Sequence, residues 1–414
     1  MKIKTAGTPR WISLTGVFLF IALMAGGYYY NLTFVQLGLI DYGQSTLGLE
    51  RSRMAWILAL LAVLTCLVSI AFGWWMNRKG WGKRFLLKLR IASGVIGLQT
   101  LLTYLVLRVN TPGGLLLWLL ACAAALGIGV PVTFGLTVDL VPRWQRGAAA
   151  AWITGLAYLG ANLLPSSWTM EAFARPLLRT MPLAAAALGL IAFLPNPLTK
   201  RLARQQNAAS YRQGRYASQA NTRLVVLILL MFGVFFTDSL GFLRLLETPQ
   251  FMQGAWQSSA VEIRLMIGLV HGIAALIGGV LYRALDVREL FFWIFGIFAL
   301  THLLYTFQIR SGADTVPLGM TILYAVTVSL YTVVNFALWA DLSTPETIGF
   351  NAALGVALSG WTATFLSTAL AIWMKDIGVS LERHLNITDS VAMLFFLALV
   401  ITALFPSNAR SSQS

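Results

Sequence analysis

The sequence predicts an all-α polytopic membrane protein with twelve transmembrane helices in two similar halves of six. Three observations lead to this prediction. First, 58% of the 414 residues are hydrophobic and only 11% are charged, whereas about a quarter of residues are charged in soluble domains. Second, apolar windows of about 20 residues recur along the chain, each long enough to cross about 30 Å of hydrocarbon. Third, features of the first half recur in the second half in the same order.

The apolar segments run continuously instead of alternating with polar residues, so each one predicts a helix and not a strand of a barrel. The twelve predicted spans are roughly 11–40, 54–76, 90–108, 113–138, 147–166, 181–196, 223–246, 262–283, 289–308, 316–340, 349–374 and 389–406. The first segment is long for a single span. It is therefore expected either to project beyond the membrane or to break near Gly38.

A polar stretch with five cations and no apolar periodicity separates the sixth and seventh spans. It predicts a linker with room for a short surface helix, and it divides the chain into residues 1–196, a basic cytoplasmic linker at 197–222, and residues 223–414. The termini, this linker and the loops on the same side carry about two-thirds of the 30 Lys and Arg residues. This bias predicts a protein of the cytoplasmic (inner) membrane with both termini in the cytoplasm.

The two halves resemble each other at three places. In the first and seventh spans, Gly26 and Asn31 correspond to Gly233 and Asp238. Near the inner ends of the second and eighth spans, Gly73 and Arg78 correspond to Gly278 and Arg283. At the junctions after the fourth and tenth spans, Phe134, Asp139 and Gly147 correspond to Phe336, Asp341 and Gly349. A parallel repeat of six spans predicts two bundles related by a pseudo-twofold axis, with a cavity between them near the bilayer midplane.

A basic turn, residues 73–84, lies between the second and third spans. Six cations fall within 13 residues: Arg78, Lys79, Lys83, Arg84, Lys88 and Arg90. Their insertion cost predicts that the turn lies outside the hydrocarbon. The turn resembles the loop signature Gly-x-x-x-Asp-Arg-x-Gly-Arg-Arg of the major facilitator superfamily. Gly73, Arg78 and Gly80 match this signature, whereas Asn77 replaces its acid.

The resemblance implies a secondary active transporter of a small organic solute that works by rocker-switch alternating access. It also implies a cytoplasmic gate, in which Arg78 and Arg283 meet the acids Asp139 and Asp341 at the inner ends of other helices. The complete set of implied gate residues is Gly73, Arg78, Gly80, Asp139, Arg146, Arg283 and Asp341. The alternative interpretation is ordinary positive-inside topology with surface acids.

Asp238 and His271 are the candidate proton-coupling residues. Asp238 lies well inside the seventh span, where an ionisable side chain is costly and indicates a functional role by default. His271 lies in the middle of the eighth span and can exchange protons near neutral pH. The alternatives are a buried carboxylate held by neighbouring hydroxyl groups and a hydrogen-bonded core histidine.

Several polar side chains inside spans are candidates for substrate contact. Polar groups within the membrane must face the bundle interior or find partners. The resemblance implies that spans 1, 5, 7 and 10 approach the central cavity, and aromatic walls suit apolar, amphipathic or cationic ligands. The candidates are Tyr29, Asn31, Gln36, Asn162, Arg244 and Asn335. For Arg244 the alternative is an interfacial pair with Glu247, and for Tyr29 it is plain packing.

Other functional classes lack sequence support. The sequence predicts no enzyme, metal site or cofactor, since no phosphate loop, metal-ligand spacing or nucleophile–base set stands out. The net charge of +15 indicates topology and contact with anionic lipids, and no nucleic acid is expected. Expected partners are a small molecule of unknown identity, membrane lipids, and protons as a candidate coupling ion. The alternative function is a non-transporting assembly or pigment-binding partner of the same fold, or a lipid transporter.

Overall fold

Helices dominate the computed structural model, which describes residues 10–165, 167–205, 208–246, 248, 258–312 and 317–404. The long helices, in chain order, are α1 (Ser13–Thr46), α2 (Arg51–Arg78), α3 (Phe85–Val106), α4 (Pro112–Leu140), α5 (Arg146–Leu163), α6 (Met170–Phe193), α7 (Ala220–Leu246), α8 (Val261–Ala284), α9 (Val287–Arg310), α10 (Leu318–Asp341), α11 (Ile348–Asp376) and α12 (Leu381–Leu404). Within the described residues, eleven helices are long and apolar enough to cross a membrane. The chain is an integral membrane protein.

Helix α5 is the long helix outside this set of eleven. It is only 18 residues long, and its many Ala and Gly residues make it less apolar than its neighbours. Helix α6 starts at Met170, earlier than the predicted span, and it includes Pro176 and Pro182. Helix α12 likewise starts early, at Leu381.

Of the two alternatives expected for the first span, projection beyond the membrane or a break near Gly38, the break does not occur. Helix α1 continues through this residue, which has an ordinary helical φ of −63°. Instead, the segments Tyr30–Gly38 and Tyr42–Thr46 are wound as π-helix. In α11 the segment Ala353–Thr362 is wound in the same way. Such wide turns inside long helices are frequent at functional sites.

The helices pack as two bundles with the same pattern of neighbours. In the first bundle α1 packs on α5 and α6, α2 on α4, and α3 on α4 and α6. In the second bundle α7 packs on α11 and α12, α8 on α10, and α9 on α10 and α12. Each contact in one bundle therefore has its counterpart in the other, as a parallel repeat requires.

The two bundles meet mainly along α2 with α11 and along α5 with α8. The chain segment that connects the two bundles contains two short helices, Pro197–Gln205 and Ala209–Arg212. The side of the molecule that carries this segment is called the linker end.

Phe134 of α4 and Phe336 of α10 stack with ring centroids 6.0 Å apart. These two residues correspond in the sequence repeat, and their rings pack between the bundles.

Candidate functional site

A cavity of about 650 Å³ lies between the two bundles. It is lined by α1, α3, α4, α5 and α6 from the first bundle and by α7, α10 and α11 from the second. Most of its lining is apolar or aromatic. Such a volume, with a few polar groups on apolar walls, is typical of a small-molecule site.

Asp238 is the one charged side chain among the described residues that line this cavity. Tyr324 and Tyr331 of α10 each donate a hydroxyl hydrogen bond to its carboxylate, and the Tyr331 bond to Oδ2 is 2.6 Å long. The ring of Phe235 meets that of Tyr331 edge-on at 4.9 Å, and Phe242 stacks on Tyr324. The carboxylate is thus held by neutral donors in an aromatic setting, and no Lys or Arg lines the described cavity wall.

A hydrogen-bonded group of aromatic and hydroxyl side chains crosses from one bundle to the other beside the cavity. The hydroxyl groups of Tyr28 and Tyr158 lie 2.8 Å apart, and that of Tyr158 lies 3.1 Å from Oγ1 of Thr332. His271 stacks on Tyr158 with centroids 4.4 Å apart, and its Nδ1 lies 2.9 Å from Oγ of Ser329. His271 is buried and does not line the cavity, but it contacts Tyr158, which does.

At the linker end, glycines bring the two bundles into backbone contact. A Cβ atom added to Gly73 of α2 would lie 2.5 Å from the carbonyl oxygen of Gly349 of α11. A Cβ atom added to Gly147 of α5 would lie 2.8 Å from the carbonyl oxygen of Gly279 of α8. The two crossings correspond in the sequence repeat to within a residue. Both leave no space for a side chain, so they close the cavity toward this end.

Arg146 of α5 joins the bundles near the second crossing. Its Nη1 donates to Oδ1 of Asp341 at 2.7 Å and to the carbonyl oxygen of Ala340 at 2.9 Å, while Nη2 donates to the carbonyl oxygen of Tyr211. The hydroxyl group of Tyr282 donates to Oδ2 of Asp341. Arg146 is 1% exposed and Asp341 is 2% exposed, so the charges are paired away from water.

The connecting segment takes part in this closure. The backbone N–H of Tyr216 donates to the carbonyl oxygen of Asp341 at 2.7 Å, and that of Gly214 donates to Ser343. Nη1 of Arg215 donates to the carbonyl oxygen of Tyr282. The segment is thus hydrogen-bonded to the ends of α8 and α10 and, through Tyr211, to Arg146.

Lys88 forms a second buried ion pair, within the first bundle. Its Nζ lies 2.6 Å from Oδ2 of Asp139 and donates to the carbonyl oxygens of Gly82 and Gly135 at 2.5 and 2.8 Å. Lys88 is 0% exposed and Asp139 is 1% exposed. The ammonium group therefore has one counter-charge and two carbonyl acceptors, and these contacts tie the basic turn to the end of α4.

No family model and no curated protein matches the sequence of this chain. Solved structures do resemble the fold. The human organic anion transporter MFSD10 has a TM-score of 0.61 at 18% identity, covering 95% of this chain and all of that chain. The proton:xylose symporter XylE of the major facilitator superfamily has a TM-score of 0.63 at 11% identity, covering 95% and 96%. The chain has the major facilitator fold.

A bacterial homologue of the iron transporter ferroportin, in an outward-facing state, extends this comparison. Its TM-score is 0.59 at 14% identity over 94% of this chain and 99% of that chain. At these identities the likeness describes the fold alone.

Within the major facilitator fold, the predicted cavity residues separate into two groups. Tyr29, Asn31, Gln36 and Asn335 line the cavity together with Asp238. Nε2 of Gln36 reaches Oγ1 of Thr368 on α11 at 3.5 Å, and Oδ1 of Asn335 accepts a hydrogen bond from Trp339.

The other two predicted cavity residues lie away from the lining. Nδ2 of Asn162 donates to the carbonyl oxygen of Tyr158, and its side chain packs at the contact of α5 with Gly268 of α8. Arg244 is buried at the far end of α7, where it donates to the carbonyl oxygen of Val379. Its expected partner Glu247 lies outside the described residues.

The predicted partners of the gate acids are wrong for this conformation. The carboxylates of Asp139 and Asp341 pair with Lys88 and Arg146. Arg78 is exposed, with its guanidinium 5.3 Å from the centre of the Trp74 ring, and Arg283 is exposed as well. Gly80 ends α2 in the left-handed conformation, with φ of 63°, which favours glycine.

At the linker end, loops of the two bundles also contact each other. Nδ2 of Asn77 reaches the carbonyl oxygen of Thr347 at 3.4 Å, and Nζ of Lys83 lies 2.8 Å from Oε1 of Glu346. Partial burial opposes ionisation of Glu346, but hydrogen bonds involving Lys83 and Thr344 lower its pKa to about 2. Because both side chains of the Lys83 pair are about half exposed, the pair contributes less than about 1 kcal/mol.

Lys88, Tyr324 and Tyr331 are among the site residues that were not identified from the sequence. A signal existed for the tyrosines, because Tyr324, Val328, Tyr331 and Asn335 follow the spacing of a single helix face. The role of Lys88 was not predicted because it is one of several basic residues in this part of the sequence. In the sequence it is typical of a solvated cation, whereas in the structure it lies on the buried face of α3.

Substitution of Gly147 with Ala is expected to destabilise the closed linker end by about 1–3 kcal/mol, because the new methyl group would overpack the α5–α8 crossing. Thermal unfolding of the purified protein measures the loss. Gly155→Ala is the matched control on the same helix, since its Cβ would lie 3.4 Å from Gly272, at an ordinary contact distance. Equal melting temperatures for the two variants would contradict the close backbone approach at Gly147.

Proposed function

We propose that this protein is a secondary active transporter of a small organic solute, with alternating access of the central cavity and the linker end in the cytoplasm. The observation that carries the proposal is the cavity between two bundles that are locked together at one end. The lock consists of side-chain and backbone contacts between the bundles, namely the glycine crossings and the Arg146–Asp341 pair. Such contacts can break without unfolding either bundle, as a rigid-body rocking motion requires.

Asp238 is the proposed coupling site. A carboxylate inside the membrane is costly when charged and unpaired, and the cavity wall offers it two hydroxyl donors and no cation. Binding of a proton or of a positively charged solute relieves the same cost. Proton and solute then compete for one group, which couples their movements. MFSD10 is titled an organic anion transporter, but the charge of this cavity favours a cation or a neutral solute.

Alternating access can be tested before a substrate is known. Spin labels at Lys79 and Ala284, both exposed and at the linker end of different bundles, report the separation of the bundles in a background without Cys66 and Cys122. The proposal expects two distance populations whose ratio changes with pH. A single population at all pH values would overturn the proposal and favour the non-transporting alternative.

Asp238→Asn is expected to abolish the pH dependence of these populations and to reduce proton-gradient-driven accumulation of a substrate by at least tenfold. The amide has nearly the same size as the carboxyl group and can still accept a hydrogen bond, but it cannot bind or release a proton. Asp389→Asn is the matched control, because Asp389 also lies within a membrane-spanning helix, α12, but does not line the cavity. If gradient-driven transport survives in Asp238→Asn, the coupling assignment is wrong.

A further inference from the structure

The cavity is not symmetric between the bundles. It reaches α3 and α6 of the first bundle, whereas its described lining includes no residue of their counterparts α9 and α12. The cavity therefore extends from the bundle interface into the interior of the first bundle alone. This extension is called the α1–α6 cleft below, and Gly26, Ala184 and Ala187 line it.

A pair of corresponding glycines explains the difference. A Cβ atom added to Gly233 of α7 would meet the ring of Phe395 from α12, which also stacks on Phe295 at 5.0 Å. A Cβ atom added to the corresponding Gly26 of α1 would meet nothing within 4 Å. In the second bundle aromatic rings fill the space between these helices. In the first bundle α6 presents alanines there, and the space stays open.

The cleft lies within the membrane-spanning part of the chain. Ala22 and Gly26 of α1 and Thr180, Ala184 and Ala187 of α6 line the cavity and have a large solvent-accessible fraction. The π-helical segment of α1, Tyr30–Gly38, packs on α6 and limits the opening on the side away from the linker end. Because these residues lie on helices that are long and apolar enough to cross the bilayer, an opening between α1 and α6 would face lipid.

We infer that the α1–α6 cleft is a lateral ligand site for an amphipathic organic cation, with its alkyl part between α1 and α6 and its positive charge at Asp238. The inference rests on the proposed function and specifies its substrate class. The charge follows from the lone carboxylate and the rings of Phe235, Tyr324 and Tyr331 around it, which attract a cation. The alkyl part follows from the small apolar lining of the cleft and its continuity with the membrane.

Binding of alkyltrimethylammonium ions with two, four, six and eight carbons in the alkyl chain tests the site. Protein in nanodiscs is equilibrated with each radiolabelled ion, empty nanodiscs are subtracted, and equilibrium dialysis gives the free concentration. Affinity is expected to rise by up to about fourfold per added methylene, the gain for burial of one CH₂ group. Binding of all four ions is expected to be lost in Asp238→Asn.

Gly26→Phe places a ring in the open cleft and is expected to abolish the dependence on chain length. It should lower affinity for the octyl ion by at least tenfold and leave that for the ethyl ion unchanged. Gly94→Phe is the matched control, since Gly94 is also an exposed membrane glycine with open space around it but lies outside the cavity lining. An unchanged octyl affinity in Gly26→Phe, or no binding of any ion by the wild-type protein, would overturn the inference.

Cysteine labelling tests entry from the lipid. Ala184→Cys, in the background without Cys66 and Cys122, is expected to react faster with a lipid-soluble maleimide than with a charged thiol reagent, and the octyl ion should protect it. Ala186→Cys, exposed on the same helix but outside the lining, should react without protection. Equal rates with both reagents at Ala184→Cys would overturn lateral access. The spin-label distances are independent of these results, so a failure here leaves the proposed function separately testable.

Discussion

Lys88→Met is expected to lower the free energy of unfolding by about 3–5 kcal/mol, the usual cost of removing one partner of a buried ion pair. The reason is that Asp139 would remain buried without a cation, 1% exposed. The carbonyl oxygens of Gly82 and Gly135 would also lose their donor. Methionine keeps an unbranched side chain of similar length but lacks the ammonium group, so the effect combines the loss of the charge and of these hydrogen bonds. Denaturant unfolding in detergent micelles measures it.

Two further variants separate the buried pair from a general effect of removing a lysine. Lys83→Met removes a nearby cation, in the basic turn, but its pair with Glu346 is about half exposed, and the expected loss is below about 1 kcal/mol. Adding Asp139→Leu to Lys88→Met removes the unpaired charge and is expected to recover part of the lost stability. A loss below 1 kcal/mol for Lys88→Met alone would contradict a charged pair in the bundle interior.

Arg146→Met is expected to shift the equilibrium toward an open linker end by at least tenfold, which corresponds to about 1.4 kcal/mol. In the closed form Asp341 would keep only the hydrogen bond from Tyr282 and stay buried with its charge unpaired. Opening would hydrate this carboxylate, so the substitution penalises the closed form more than the open form. The connecting segment would also lose its bond from Arg146 to Tyr211.

The spin-label distance between Lys79 and Ala284 measures this shift as a larger fraction of the long-distance population. Arg175→Met is the control, because the Arg175–Glu171 pair lies on the surface of a single helix, with both side chains more than 60% exposed. It should leave the distance populations unchanged. If Arg146→Met also leaves them unchanged, the buried pair is a stability element of the closed form and does not gate the cavity.

The architecture could be predicted because it depends on local properties of the sequence. Apolar length against bilayer thickness determines which segments can span, and the cost of charge in hydrocarbon places the basic turn and the connecting segment at the membrane surface. The repeat placed Gly147 and Gly349 in corresponding positions, and each lies at a crossing between the bundles. Asp238 stood out for the same local reason, as an acid within an apolar run.

The partners of the charged groups could not be predicted in this way. Lys88 and Arg146 are cations among other cations in the sequence, and only the rotation of α3 and α5 about their axes turns them inward. That rotation is determined by packing against helices distant in sequence. The same reason explains why Asn162 lies at a helix contact and Asn335 at the cavity: both are polar residues within spans, and nothing in their immediate neighbours distinguishes them.

The sequence by itself determined that this chain spans a membrane as a repeated set of helices with one acid deep in its seventh span. These conclusions follow from transfer free energies, which depend on the composition of each segment. Only the tertiary structure decided that Tyr324 and Tyr331 hold this acid at a cavity, and that a cleft opens beside Gly26 but not beside Gly233. Both outcomes depend on which side chains from distant helices fill or leave the space between them.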